Sequence, residues 1–465
     1  MTAQDAGATV LMLEKNPEGG GSSRVSSFQF LAPVPEDEDL FYEYLKNLDR
    51  WGQVPDDMAR AAAAEFVKIE EWLIGLGFTI TGITPSSSEA NVPGGESVRI
   101  IWHEERPFEE GWKIVARNIE DRNIEVLYQT PGKRLIQTSE GDIIGVVADA
   151  GGEEIYIKAK RAVILTCGGY EFDDQMQKDY VPGYPILYFG NPTSTGDGVK
   201  MAQAAGADLW HMTNTMMLGS APALKVPDYE SPVELAVKGK LAYVFVDKHG
   251  RRYMNEDKPA RHGQGWNEQR YFDLLELTFP RIPWYVIFDE QTTATTKLFK
   301  DVMDWCVVME GYRPSEDNSV EIEKGWILKA DTIQELGEQI LALEANDGKM
   351  DPSVLEETIA AYNGYCGQGE DPEFGRPADT LLPLTTPPFY AAEVYPGSRN
   401  TQGGPRRDAN ARIIDVWGKP IPRLYSAGEL GSMWAGLYQG GGNVSDCVAF
   451  GRIAGRNAGA EEPWE

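Results

Sequence analysis

The spacing of apolar positions changes along the chain, and the changes divide it. The opening MTAQDAGATVLMLEK reads as the end of a helix, a stop at Gly7 and an apolar run over residues 9–13 that closes on Glu14. Residues 61–76 place Ala63, Phe66, Ile69, Trp72, Leu73 and Leu76 at helical spacing. Residues 123–128, 142–148 and 154–158 alternate apolar and polar positions and predict antiparallel strands, whereas 162–165 is apolar throughout and predicts a fully buried one. From about 208 to 371 the character shifts. A strand pair is expected around the turn Asp247-Lys248-His249-Gly250, then an aromatic stretch with Trp266, Trp284, Tyr285 and Phe288, then helices over 332–345 and 352–364. A last buried strand at Leu424-Tyr425-Ser426 leads through Gly440, Gly441, Gly442 and Asn443 into a helix carrying Val448, Phe450 and Ile453. The pattern predicts an α/β protein in three segments, 1–207, 208–371 and 372–465, of a length that suits two domains.

At 465 residues the chain can bury a large core. Its formal charge of −29 argues against nucleic acid or anionic membrane partners, both densely negative, and reads as a well-solvated surface. No apolar run reaches the roughly 18 residues a membrane span needs, and no leader is visible, so a cytoplasmic protein without a transmembrane segment is expected. Cys167, Cys306, Cys366 and Cys447 are scattered and form no C-x-x-C, which excludes iron–sulfur and c-type haem sites; they read as reduced core residues. His103, His211, His249 and His262 show no ligand spacing, and no metal site is expected.

The candidate chemistry lies at the two ends. Glycines at a helix mouth let backbone N–H groups approach a ligand closely, and the helix N-terminus favours negative charge, such as a reduced flavin carries on its pyrimidine edge. Glu14 ends a strand where a dinucleotide-binding unit places an acid to accept hydrogen bonds from ribose hydroxyls. The G-x-G-x-x-G turn that should lie roughly 20 residues earlier has no room here; the sequence opens inside the helix that the turn would start.

Several blocks, in order, carry a family resemblance: GGGSSRVS (19–26), AVILTCGGYEFD (162–173), NPTSTGDGVKMAQAAGA (191–207), DKHGRRYMNED (247–257), GEDPEFGR with PPFYAAEVYPG, and the closing LYSAGELGSMWAGLYQGGGNVSDC. Together they resemble the flavoproteins of the fumarate reductase, succinate dehydrogenase and 3-ketosteroid dehydrogenase superfamily, from Met1 to about Ala460. The resemblance implies that 1–207 and 372–465 form one Rossmann-like FAD-binding domain, truncated at its N-terminus, with 208–371 inserted as an α+β cap, FAD as cofactor, and redox chemistry on a CH–CH bond. It implies cofactor contacts from Glu14, Lys15, Gly20, Gly21, Ser22, Ser23, Thr166, Gly168, Gly169, Asp197, Glu429, Gly441, Gly442, Asn443 and Ser445. In the fumarate reductases an arginine shortly after an N-E pair donates the proton; here the pair is Asn255-Glu256 and the arginine Arg261, with Glu256 as relay.

The departures bear on substrate. Asn400 stands where dicarboxylate reductases have the histidine of H-T-M-G-G, and Gln439 stands where they have an arginine before G-G-N. Losing two such donors from a desolvated dicarboxylate site would cost about 2–5 kcal/mol each, which disfavours fumarate. Trp434, Tyr438 and Tyr188 offer aromatic surface instead, and Tyr438 matches the acid–base tyrosine of the ketosteroid dehydrogenases. Arg399 could hold a carbonyl oxygen or a lone carboxylate. The expected reaction is oxidation or reduction of a carbon–carbon bond beside a carbonyl in a bulky ring compound such as a steroid or polyphenol. Two alternatives stay open: a reductase of fumarate or another small unsaturated acid, and a truncated chain that cannot hold FAD and is inactive. No second dinucleotide fingerprint is present, so a separate electron donor or acceptor is expected.

Overall fold

The opening apolar run forms the strand Leu11–Leu13, which pairs in parallel with Glu125–Leu127. The latter was expected in an antiparallel set; helices lie between it and its partner, and such a crossover is what parallel pairing requires. A second parallel pair joins Leu424 to Ser426, the end of the strand Pro420–Ser426, with Val163–Leu165. Among the described residues no ladder links the two pairs. The computed structural model of the chain describes residues 1–464 other than 50, 87, 106–108, 217, 218, 220, 228, 260–264 and 301–311.

Ile143–Ala150 and Glu153–Lys158 pair antiparallel as their alternation predicts, joined by Gly132–Gln137, whose sequence GKRLIQ carries no period of two. The helix expected over 61–76 is two helices, Asp56–Phe66 and Ile69–Leu76. At the break the Lys68 N–H bonds Glu65 O (3.1 Å) in place of the i−4 carbonyl, and the turn lets both Phe66 and Ile69 bury completely.

The central strand of the largest sheet is Phe389–Ser398, antiparallel to Ala221–Leu224, Trp284–Asp289 and Leu328–Ala330 and parallel to Leu187–Tyr188. Tyr243–Val246 pairs onto Trp284–Asp289, and every residue of these two strands is buried. Phe245, Trp284, Val286 and Phe288 face one apolar cluster; Val244, Tyr285 and Ile287 face another built with the helices Ile333–Leu341 and Pro352–Gln368. Covering both faces explains why these strands read as continuous apolar runs. No helix among the described residues is long and apolar enough to cross a membrane.

The turn at Asp247 forms as expected, its carboxylate accepting the His249 and Arg251 N–H groups at 2.9 and 3.0 Å. Its second arm is only a single bridge between Val246 and Arg252. The reason is that Arg252 turns inward. Its guanidinium donates to both oxygens of Glu256 (2.8 and 2.9 Å) and to Asp371 (2.9 Å). Arg376 approaches Glu256 at 3.5 Å and donates to the carbonyls of Tyr243 (2.7 Å) and Thr380 (3.1 Å). Burial alone would raise the Asp371 carboxyl, but the Arg252 hydrogen bonds and charge outweigh it and hold it below the usual range. A carboxyl lowered in the fold contributes stability above the ordinary carboxylate range and loses it as pH falls through the lowered value. Arg252→Met would leave buried Asp371 without a cation and Glu256 with Arg376 alone, and is expected to cost about 3–5 kcal/mol, read as a lower urea midpoint with unchanged slope. A cost below about 1 kcal/mol would show that the network does not hold this sheet to its helices.

Candidate active site

The closing helix, Gly442–Ala460, begins where Gly441 takes a left-handed conformation (φ +84°), and a Cβ there would lie 2.6 Å from Gln29 O. Ser445 Oγ accepts from the Leu31 N–H (2.8 Å) and donates to Gly441 O (2.9 Å), tying the helix mouth to the strand Phe30–Leu31. One turn in, the fully buried Asp446 pairs with the equally buried Arg407. Arg407 also donates to Gly428 O (3.0 Å) and lies 4.2 Å over the Phe450 ring, while Asp446 accepts from Ser432 Oγ and the Met433 N–H, both at 3.2 Å. Burial raises the Asp446 carboxyl and lowers the Arg407 guanidinium, each only partly offset by its partner. Sequence reading missed this pair, because its members lie on different elements with no shared motif.

Asn443 is the hub of the mouth. Its amide donates to Asn400 Oδ1 (2.9 Å) and accepts from Gln402 (3.0 Å), and its backbone N–H donates to the Tyr438 hydroxyl (3.2 Å). Gln439 is engaged elsewhere: Tyr44 OH donates to its carbonyl (2.6 Å) and its amide donates to Ser86 Oγ (3.0 Å). Trp434 stands edge-on to Tyr438, with ring centres 5.6 Å apart, and a Cβ at Gly442 would come within 2.4 Å of its indole, so glycine is what admits the ring. Arg399 stacks 4.3 Å over Phe189 and pairs with Glu234, which also takes Lys300; its Nε and Nη1 are buried without a partner. Burial would raise Glu234, but Arg399 and Lys300 outweigh it, and the carboxyl stays ionised. Tyr188 is buried with no partner for its hydroxyl, and burial pushes that group far above its ordinary value.

The N-terminal residues converge on a second loop. Glu14 accepts the Asn16 N–H (2.8 Å), and Lys15 reaches Asp197 (2.7 Å) and Thr195 (2.9 Å) at the start of the helix Asp197–Ala204. Gly20 caps the short helix Gly21–Arg24, which includes Ser22 and Ser23. A Cβ at Gly190 would stand 3.5 Å from Glu171 Oε1 and 3.9 Å from Ser22 Oγ, so these two groups approach one another across a glycine. Thr166 is exposed and Gly168 half-buried beyond the end of Val163–Leu165, and Gly169 is buried. Glu171 itself was missed by sequence reading; its only signal was a lone acid in an apolar run, yet it is completely buried and accepts from Thr401 Oγ1 (3.0 Å).

Other expectations need correcting. Glu256 sits in the Arg252 network, its remaining partner being the Phe245 N–H (3.3 Å), so it is a strut of the large sheet's support. Cys167 and Cys447 are exposed and Cys366 half-buried; all three are free thiols, and none is a core residue. Arg261, with His262 and Cys306, lies outside the described residues. A cavity of about 540 Å³, whose walls include Trp51, Trp210, His211, Met212, Arg270 and Arg406, abuts the same closing segment. Trp210 Nε1–H donates to Gly431 O (3.2 Å) and His211 Nδ1–H to Ser432 O (2.9 Å); burial lowers His211 to about 4, so it is neutral at pH 7.

These residues fit FAD. Ser22 Oγ, Glu171 Oε1, Gln402 Oε1 and Glu429 Oε1 are buried without a partner, and unsatisfied oxygens of this kind suit the N–H and O–H groups of a flavin and its sugar chain. The helix mouth and Lys15 suit its negative charge.

The family of FAD binding domains matches residues 1–445. The digoxin reductase of Eggerthella lenta is 27% identical, the alignment covering 100% of this chain and 85% of that protein. A probable fumarate reductase of Shewanella frigidimarina is also 27% identical, over 98% of this chain and 72% of its own length. The crystal structure of 3-ketosteroid delta1-dehydrogenase from Sterolibacterium denitrificans shares the fold, with a TM-score of 0.73 at 20% identity over 99% of this chain and 96% of that one. The glycine-mouthed helix, the mixed α/β architecture and these likenesses agree. The chain belongs to the FAD binding domain family, among the fumarate reductase and 3-ketosteroid dehydrogenase flavoproteins, and is a FAD-dependent oxidoreductase acting on CH–CH groups.

Proposed function

We propose that the chain reduces or dehydrogenates the carbon–carbon bond beside a carbonyl in a bulky, mostly apolar substrate of the steroid or polyphenol kind. In this reading the insertion that begins near residue 208 caps a Rossmann-like FAD-binding domain and reaches past residue 371, since Phe389–Ser398 is the central strand of the sheet built from residues 221–330. The observation that carries it is the state of the two positions where a dicarboxylate clamp would stand. Asn400 and Gln439 are neutral, and both amides are engaged, by Asn443 and Thr401 and by Tyr44 and Ser86 respectively. A substrate with two carboxylates would leave at least one unpaired, at about 2–5 kcal/mol. Arg399, with two N–H-bearing nitrogens unspent, suits one carbonyl oxygen, and Phe189, Tyr188 and Trp434 suit a flat apolar body.

FAD, when bound, supplies hydride exchange at the substrate carbon. The protein moves the partner proton, and Tyr438 is the group for that: the Asn443 N–H at the helix mouth supports negative charge growing on the phenol oxygen. The likeness to a digoxin reductase supports a bulky substrate. Reduction of a small monocarboxylic enoic acid is the second reading, favoured by Arg399 and by the likeness to a probable fumarate reductase. Electrons are exchanged with a separate carrier.

The test is to add FAD, confirm a yellow absorbance band, and titrate with a steroid enone, an unsaturated polyphenol and fumarate. The two ring compounds are expected to shift the flavin spectrum and reoxidise the reduced protein, and fumarate to do neither. Comparable turnover of fumarate would overturn the reading, and a protein that stays colourless with FAD would mean that the chain does not hold its cofactor. Tyr438→Phe is expected to lower kcat by about 100- to 10,000-fold with FAD binding intact. A larger loss in Arg261→Lys would hand the proton step to Arg261 instead. Arg399→Met is expected to raise KM by roughly 10- to 100-fold, the worth of one charged hydrogen bond of about 1.5–3 kcal/mol, with a smaller change in kcat.

A further inference from the structure

Two carboxyl groups meet inside the cofactor cleft, and only one of them was visible as a site residue in the sequence. Glu171 follows the Gly168-Gly169-Tyr170 turn, and Glu429 follows the strand Pro420–Ser426. A Cβ at Gly169 would come within 2.4 Å of Glu429 Oε1 and 2.5 Å of Glu171 Oε2, so the missing side chain is what lets both acids into one space. Thr401 donates to Glu171 Oε2 from its hydroxyl (3.0 Å) and its backbone N–H (3.5 Å). Oε1 of each glutamate is buried with no donor from the rest of the chain. Two buried carboxylates side by side with only neutral donors are strongly unfavourable; one proton, carried on one carboxyl and donated to the other, removes a charge and supplies a further bond.

The surroundings do not supply a counter-charge in its place. Asn400 and the Gly169 N–H donate to Glu429, and both are neutral. Titratable groups that feel the charge of the pair include the Tyr170 and Tyr188 hydroxyls and the Cys447 thiol of the closing helix, all uncharged at neutral pH. The Arg407 guanidinium beside the same loop is committed to Asp446 and Gly428 O, and one nitrogen of Arg399 pairs with Glu234. Burial raises both carboxyls above their ordinary range. Glu429 rises further because the charge of Glu171 adds to its burial, while Glu171 is eased by backbone N–H groups and by the Glu429 O–H.

We propose that Glu171 and Glu429 hold one proton in common, and that this shared proton makes both the folding of the apoprotein and its uptake of FAD dependent on pH. With the proton in place the pair carries one negative charge, and the cleft accepts an anionic cofactor. Once it is lost, two adjacent carboxylates repel each other and the ligand. Glu171 is thus a positioning residue acting through Glu429. The sign follows from the raised values: stability is full below the ordinary carboxylate range and is lost as pH rises through the raised value of the pair.

The experiment uses the full chain, stripped of flavin. Its thermal midpoint and its FAD dissociation constant, read by quenching of flavin fluorescence, are measured from about pH 5 to about pH 9, the span over which buried glutamates titrate. In the wild type the midpoint is expected to fall with pH, and the dissociation constant to rise by up to about tenfold per pH unit above the titration, the limit for one linked proton. Glu171→Gln and Glu429→Gln keep the shape and remove a charge; each is expected to flatten both profiles and to raise the apoprotein midpoint at high pH. Infrared difference spectra of the wild type are expected to show a protonated carboxylic acid at neutral pH, which keeps the proposal decidable if neither variant folds. Wild-type profiles independent of pH, a Glu171→Gln variant with the wild-type slope, or no protonated acid in the infrared spectrum would each overturn it.

Discussion

The candidate site depends on one buried ion pair. Arg407 and Asp446 are both excluded from solvent, and a pair in that position costs more in lost hydration than its attraction returns unless every remaining donor and acceptor is used. Here most are. Arg407 holds Gly428 O and stacks on Phe450, and Asp446 holds the Ser432 hydroxyl and the Met433 N–H. The pair therefore fastens both ends of the 428–433 loop to the first turn of the closing helix. Glu429 and Trp434 take their positions from that attachment, and the helix mouth at Gly441 and Asn443 stays in register with them.

The large sheet delivers the other half of the site. Phe389–Ser398 is hydrogen-bonded on both sides, and the chain leaves it directly into Arg399, Asn400, Thr401 and Gln402. A strand so thoroughly paired cannot slip, since a shift of one residue would turn its buried side chains to the wrong face. The residues that follow it inherit that rigidity. Asn400 and Gln402 then meet Asn443 across the cleft, Thr401 meets Glu171, and Arg399 meets Glu234. The Arg252–Glu256–Asp371–Arg376 network braces the strand Tyr243–Val246 and the segment leading toward Phe389 in the same way. The residues of the candidate site are thus fixed by charges that are themselves buried and paired, which keeps its polar groups preorganised.

Much of this was legible from residue order. The apolar runs at Val163 and Leu424 gave their strands, because a strand buried on both faces is apolar throughout, and the run before Glu14 and the turn at Asp247 marked two more. The glycine mouth was legible through local spacing and family pattern, whereas the pairing of Lys15 with Asp197 was not. Misses have physical causes. Gly132–Gln137 shows no alternation because its burial does not alternate either. The helix over 61–76 breaks where one carbonyl shift buries two large side chains together, a gain no local propensity registers. Glu256 read as a proton relay from its place beside an N-E motif, but its neighbours in space are two arginines.

The sequence by itself pointed to the class of cofactor chemistry, through a glycine-lined helix start together with the ordered blocks that resemble the flavoprotein superfamily. It also put two neutral residues, Asn400 and Gln439, at the positions that the family resemblance matches to the donors of a dicarboxylate clamp. Only the tertiary structure decided which charges meet: Arg407 with Asp446, Arg252 with Glu256 and Asp371, Arg399 with Glu234, and Glu171 with Glu429. Ionic pairing in an interior is set by which surfaces the packing of strands and helices brings together, and a charge carries no mark in the sequence of the partner it will find.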